Sequence, residues 1–88
     1  MLVNDNLKRK QYYELAKHNN VICLDGFFCI IAERYTDMVV VYADKQKSLL
    51  MTIYYYEITG SEYFCNKPEH TITEFYYDSM HRKFNHGN

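Results

Sequence analysis

Hydrophobic and polar positions follow a helical period near the N-terminus of the chain and a period of two through its middle. Residues 5–18 have the first pattern and predict an amphipathic helix. The apolar positions of that helix are Leu7, Tyr12, Leu15 and Ala16. Asn4 or Asn6 can cap its N-terminus, and Asn19-Asn20 ends it, because Asn tolerates the left-handed backbone found at helix ends.

Four strand-like stretches follow, and each is separated from the next by a turn-length polar segment. They cover residues 21–24, 27–33, 38–43 and 49–58. Asp25-Gly26, between the first two stretches, is a strong signal for a two-residue hairpin turn. Parallel strands need a crossover of a dozen or more residues, so connectors this short predict an antiparallel meander.

The last segment has the sequence signature of a helix over residues 71–84. Thr71 and Glu74 have the spacing of a capping box. Apolar residues then recur at helical spacing, at Ile72, Phe75, Tyr76, Met80 and Phe84. A fifth strand over residues 71–77 is the competing prediction, because Thr, Ile, Phe and Tyr all favour sheets.

The predicted fold class is therefore α+β: a small antiparallel β-meander of about four strands with an N-terminal and a C-terminal helix. Residues 1–88 are expected to form a single domain, since a chain of 88 residues has room for only one. Residues 1–4 and 85–88 are expected to fray at the two ends.

Both faces of the predicted sheet are unusually apolar. In residues 49–58, Leu, Met, Ile and Tyr occupy the alternate positions on each side of the strand. An antiparallel sheet with one solvated face normally shows cleaner polar alternation. Two short helices cannot cover both faces, so we expect a twin subunit, a partner protein or the C-terminal segment to cover the second one.

Charge and composition disfavour several classes of partner. The 10 basic and 11 acidic residues nearly cancel, whereas nucleic-acid-binding domains usually carry a clear basic excess. The short basic run Lys8-Arg9-Lys10 is interpreted as a solvated helix face. No apolar stretch approaches the ~20 residues of a membrane helix, and the sequence does not open with a signal-peptide pattern. Three cysteines favour reduced thiols and a cytoplasmic location.

Tyrosine is the most informative residue type in this chain. There are 10 Tyr, five Phe and no Trp. Tyr is enriched at protein interfaces because it offers a large rigid contact area and a polar hydroxyl. Packing of these rings within the core is the alternative for each one. The candidate protein-binding residues are Tyr35, Tyr42, Tyr54, Tyr56, Glu57 and Tyr63.

A metal site is the second candidate for chemistry. Its weak candidate ligands are Cys65, His70, His81 and His86, whose spacing is not far from that of a zinc finger. The pattern has one Cys instead of two, and His86 falls in the expected C-terminal tail. We therefore predict no metal and no other cofactor. A redox pair of Cys23 and Cys29 is also disfavoured, because a two-residue hairpin turn places these thiols on opposite faces of the sheet.

Catalysis is not expected from this sequence. The three glycines are isolated, so there is no phosphate-binding loop, and no serine has a nucleophile-elbow context. In size and composition the chain resembles the small accessory proteins of phages and mobile elements. That resemblance implies a protein that binds and inhibits a larger host protein, of the anti-CRISPR or other anti-defence type, in the host cytoplasm. We predict a non-catalytic protein-binding module; the alternatives are a structural homodimer and a small metal-binding protein.

Overall fold

The computed structural model describes residues 2–77, with the side chains described from Leu7 onward. Its regular elements are one helix, α1 (Leu2–His18), and the strands β1 (Val21–Leu24), β2 (Phe27–Arg34), β3 (Met38–Tyr42), β4 (Leu50–Tyr54) and β5 (Tyr63–Cys65). Short 3-10 helices cover Tyr55–Glu57 and Glu69–Thr71. The small α+β architecture is confirmed. The helix begins before the predicted position, so Asn4 and Asn6 lie inside it and do not precede it.

The five strands form one antiparallel sheet in the order β4-β3-β2-β1-β5. The first four make the predicted meander. Asp25 and Gly26 both have positive φ, 51° and 82°, as a type I′ hairpin turn requires. Leu24 therefore pairs with Phe27, and Cys29 pairs with Ile22, while Cys23 pairs with Phe28. Cys23 and Cys29 thus lie on opposite faces, as predicted.

β5 is an addition to the predicted meander. Cys23 pairs with Tyr63, and Val21 pairs with Cys65, so this short strand covers the edge of β1 that the hairpin leaves open. Only three residues belong to β5, too few for an alternating pattern to appear in the sequence. β1 becomes a central strand as a result, and β4 and β5 are the two edges of the sheet.

The fourth strand is shorter than predicted. It ends at Tyr54, and the chain turns into the 3-10 helix Tyr55–Glu57. In a 3-10 helix the side chains at i and i+3 share one side. Tyr55 and Ile58 are therefore both buried in the core, whereas an uninterrupted strand would have placed them on opposite faces.

Helix α1 covers one face of the sheet, which we call the core face. Its centre is a fully buried cluster that includes Ile22, Val39, Val41 and Tyr55. Ala16 is the buried contact of the helix, and Tyr12 packs beside it; Leu7 and Leu15, predicted to belong to the apolar stripe, are exposed.

Arg34 links the C-terminal end of α1 to the sheet through hydrogen bonds. Its guanidinium lies on the core face and donates from Nε to the carbonyl oxygen of Ala16 and from Nη2 to that of Asn19, the latter at 2.8 Å. The last carbonyl groups of a helix have no partner within the helix. A strand residue therefore stabilises the helix end and fixes where the helix lies on the sheet.

The helix predicted for residues 71–84 is not present over the first part of that range. Thr71 ends a 3-10 turn, and its hydroxyl donates to the carbonyl of Pro68 at 2.7 Å. The carbonyl of Glu74 accepts the N–H of Phe28 at 3.3 Å, and Phe75 forms a β-bridge with Phe28. The predicted capping box is therefore absent, because the sheet uses this backbone instead. Residues 78–84 lie outside the described part of the chain.

The segment after β5 covers part of the second face of the sheet. Asn20 holds its start, with its Nδ2 donating to the carbonyl of Lys67 at 2.6 Å and its Oδ1 accepting the Lys67 N–H at 2.9 Å. Ile72 and Phe75 then bury Val21 and Ile30 in a second, smaller cluster. This agrees with one of the three predicted solutions, but the cover reaches only β1, β2 and, at Tyr42, the end of β3.

Candidate protein-binding surface

The β3–β4 half of the second face remains accessible, and we call it the open face. Strand register places its side chains in three rows. Tyr35 donates its N–H to the carbonyl of Met38 at 2.8 Å, and Met38 pairs with Tyr54. The other two rows are Glu33, Val40 and Thr52, and then Tyr42 and Leu50. Apart from Glu33, every member is uncharged.

The most exposed large side chains of this face, Tyr56 and Leu50, belong to its outer part. Leu50 is 61% exposed, Tyr56 66% and Tyr54 37%. The rings of Tyr54 and Tyr56 lie 5.5 Å apart between centroids, tilted by 31°, a favourable geometry for an aromatic pair. Tyr54 and Tyr56 thus form an exposed aromatic pair, and Leu50 is exposed on the same face at the other end of β4.

Charged groups border the open face. The Lys47 Nζ lies 5.6 Å from the ring centroid of Tyr42 and 3.0 Å from a carboxylate oxygen of Glu69. On the other side, the hydroxyl of Tyr35 donates to Glu33, and this bond raises the pKa of the tyrosine. An apolar centre with a polar rim is the usual composition of a protein-binding surface.

The predicted contact residues do not all belong to this surface. Four of the six candidates, Tyr35, Tyr42, Tyr54 and Tyr56, lie on it or at its margin, with Glu57 directly beside Tyr54. Tyr63 is also exposed, but it lies in β5 at the opposite edge of the sheet. Four strand spacings separate the two edges, about 19 Å. Sequence reasoning could not see this, because sheet order is a tertiary property.

The open face ends at a free strand edge. Ala43 donates to the carbonyl of Leu49 at 3.0 Å, and Tyr55 donates to that of Asp37 at 3.1 Å. Hydrogen-bonded pairs alternate along an antiparallel ladder. The backbone groups of Met51 and Ile53 therefore face β3, while those of Leu50 and Thr52 point away from the sheet. The equivalent outward N–H of Tyr54 donates to Glu57 Oε1 at 3.1 Å.

The candidate metal ligands are not brought together within the described residues. Cys65 is half-buried in β5, and burial raises the pKa of its thiol, which disfavours the thiolate that zinc binds. His70 is exposed in the 3-10 turn Glu69–Thr71. Residues 2–77 contain no group of three or more His, Cys, Asp or Glu side chains placed to hold an ion. His81 and His86 lie outside that range.

Among the described residues, the buried carboxylate is that of Asp44, and it has a structural role. Asp44 is 4% exposed and accepts hydrogen bonds from the Ser48 N–H at 2.9 Å, the Leu49 N–H at 3.1 Å and the Ser48 hydroxyl. These bonds, that of the hydroxyl first, lower the pKa of Asp44. A carboxylate with lowered basicity that is already saturated by donors is poorly suited to act as a general base.

Comparison with protein-family models, curated proteins and solved structures finds no match to this chain. In the part of the chain that the structure describes, no helix is long and apolar enough to span a membrane. The geometry of the sheet is therefore the basis for assigning a function.

Proposed function

We propose that this chain is a non-catalytic protein-binding module that contacts its partner through the open face. The observation that carries the proposal is the exposed, uncharged surface formed by Leu50, Tyr54 and Tyr56 beside a free strand edge. Exposed apolar patches rimmed by polar residues often mark protein–protein interaction sites. The resemblance to small phage accessory proteins supports a larger protein as the partner and inhibition as the consequence of binding.

Tyr54 and Tyr56 are proposed as the central contacts. Both residues have an ordered backbone, Tyr54 in a strand and Tyr56 in a 3-10 turn, and their rings pack 5.5 Å apart between centroids. Ordering a flexible side chain on binding costs affinity. Two rings that already pack on each other avoid part of that cost, and tyrosines are frequent interface hot spots.

The experiment is an affinity capture with the tagged protein, followed by measured binding of the captured partner to single variants. Tyr54→Ala and Tyr56→Ala should each weaken binding by about thirtyfold, the effect of losing ~2 kcal/mol at a hot spot. Tyr63→Ala is the matched control, because it removes a tyrosine at the far edge whose exposure, 52%, lies between those of Tyr54 and Tyr56. It should bind like wild type. Unchanged affinity of both open-face variants would refute the proposed surface.

A further inference from the structure

Within residues 2–77, the β4 edge has one feature that usually prevents strand edges from pairing, the Glu57 carboxylate at the Tyr54 N–H. Such features are charged side chains, proline, bulges and covering segments. Residues 48–56 contain neither a charged residue nor proline, and the β3–β4 register runs without a shift from Met38↔Tyr54 to Tyr42↔Leu50. Outward hydrogen-bonding groups of Leu50 and Thr52 are left for another strand to use.

The sequence of β4 is complementary to itself in the antiparallel direction. If two copies pair about a twofold axis at Thr52, then Leu50 lies opposite Tyr54, and Met51 lies opposite Ile53. Each is an apolar or aromatic cross-strand pair, and Thr52 faces Thr52; pairs of both kinds stabilise sheets. The alternation of the ladder agrees with this arrangement, because Thr52 is one of the residues whose backbone groups point outward.

Charge at the two ends of β4 favours the same arrangement. The connection before the strand carries Lys45 and Lys47, the latter paired with Glu69, and the turn after it carries Glu57. Antiparallel pairing brings the basic end of one copy to the acidic end of the other, whereas a parallel arrangement would place like charges together. The Glu57 side chain would leave the Tyr54 N–H, which would then bond the carbonyl of Leu50 in the second copy.

We infer that a second copy of this chain pairs with β4 in this register, which joins the two sheets and their open faces into one. The inference does not depend on the proposed function, because it concerns the strand edge and needs no other protein. A doubled open face also gives a partner twice the apolar surface.

The test is light scattering coupled to size-exclusion chromatography over a concentration series. It is applied to the wild type and to variants that place a positive or a negative charge at position 52, on the twofold axis. Wild type should dimerise. Thr52→Lys and Thr52→Glu each place like charges opposite one another and should weaken the dimer at least about fivefold. Mixing the two variants should restore a heterodimer. Thr73→Lys adds the same charge at an exposed threonine outside the sheet and should dimerise like wild type.

Two results would overturn the inference: a wild-type monomer at every concentration, or a dimer that is indifferent to the charges at position 52. Amide hydrogen exchange of the wild-type protein provides a check without any substitution. The N–H groups of Leu50 and Thr52 should become protected as the dimer forms, while those of Met51 and Ile53, bonded to β3, are protected throughout. Equal exchange at Leu50 and Thr52 in monomer and dimer would also contradict the register.

Discussion

Tyr55 combines a large buried ring with a satisfied hydroxyl. The side chain is fully buried between α1 and the sheet, and its hydroxyl donates to the carbonyl of Tyr35 at 2.8 Å. The ring of Tyr12 packs 6.2 Å away between centroids. Removal from water disfavours the phenolate and, as the main cause, raises the pKa of Tyr55 from 10.0 to about 12.

This raised pKa makes stability depend on alkaline pH. In the unfolded chain Tyr55 ionises near its ordinary pKa of 10.0, so its contribution to folding is complete below that pH and is lost as the pH rises through about 12. Tyr55→Phe should lower the free energy of unfolding by ~1 kcal/mol at neutral pH. The substitution should also make the decline of the free energy of unfolding above pH 10 shallower, as measured by urea unfolding at a series of pH values.

The control for the alkaline experiment is Tyr56→Phe. Tyr56 is mostly exposed, so the loss of its hydroxyl should leave both the neutral stability and the alkaline slope close to wild type. If Tyr55→Phe and wild type declined in parallel above pH 10, titration of Tyr55 would not be the source of the alkaline loss.

At the scale of elements, the β3–β4 connection depends on Asp44. Its carboxylate closes the turn by bonding the N–H groups of Ser48 and Leu49, while Lys47 adopts a left-handed backbone with φ of 60°. The register of β4, and with it the order of side chains on the open face, is set by this turn. Asp44 is thus a structural residue for the candidate site even though it contacts no partner.

Acidification should therefore loosen this connection. Because folding lowers the pKa of Asp44 below its ordinary value of 3.8, its contribution is present above that pH and is lost as the pH falls through the lower, folded-state value. Asp44→Asn should cost ~1–2 kcal/mol at neutral pH and flatten the acid limb of the stability curve. Asp25→Asn, at an exposed hairpin turn that suits Asn, is the control and should keep the wild-type acid limb.

An element could be predicted from the sequence where its own residues determine its structure, and could not where contacts with distant residues determine it. The β1–β2 hairpin follows from Asp25-Gly26, because positive φ at both positions is a property of the turn itself. The segment at Thr71 carries an equally clear helix signature, but the carbonyl of Glu74 bonds the N–H of Phe28, a residue far away in sequence. Tertiary pairing overrides local preference there.

The same distinction between local and tertiary causes applies to the residues of the candidate site. Alternation along β4 already separates Tyr54 and Tyr56 from the buried Tyr55, although only the 3-10 turn explains why Ile58 joins the core. Tyr63 could not be separated from the others, since its distance from them depends on β5 pairing with β1. The free edge of β4 likewise depends on sheet order and has no signal in the sequence.

At the scale of the whole molecule, the second face of the sheet has a closed half and an open half. Ile72 and Phe75 seal the closed half, and Lys67 Nζ lies 4.8 Å from the ring centroid of Phe28 beside them. Tyr42, at the end of β3, packs against this cluster, and no described residue seals the rest of β3 or β4 on this face. Equally apolar side chains on one face therefore have different roles, one set for folding and the other available for binding.

Stability measurements should separate these two roles. Phe75 is 3% exposed and Leu50 is 61% exposed, although both are large apolar residues on the same face. Phe75→Ala should lower the free energy of unfolding by about 3–5 kcal/mol, as for a buried aromatic. Leu50→Ala should change it by only ~0.5 kcal/mol in dilute monomer, as for a surface position. Urea unfolding of both variants at low protein concentration makes the comparison. A large loss of unfolding free energy for Leu50→Ala would mean that the open half is part of the monomer's core and is not free to bind.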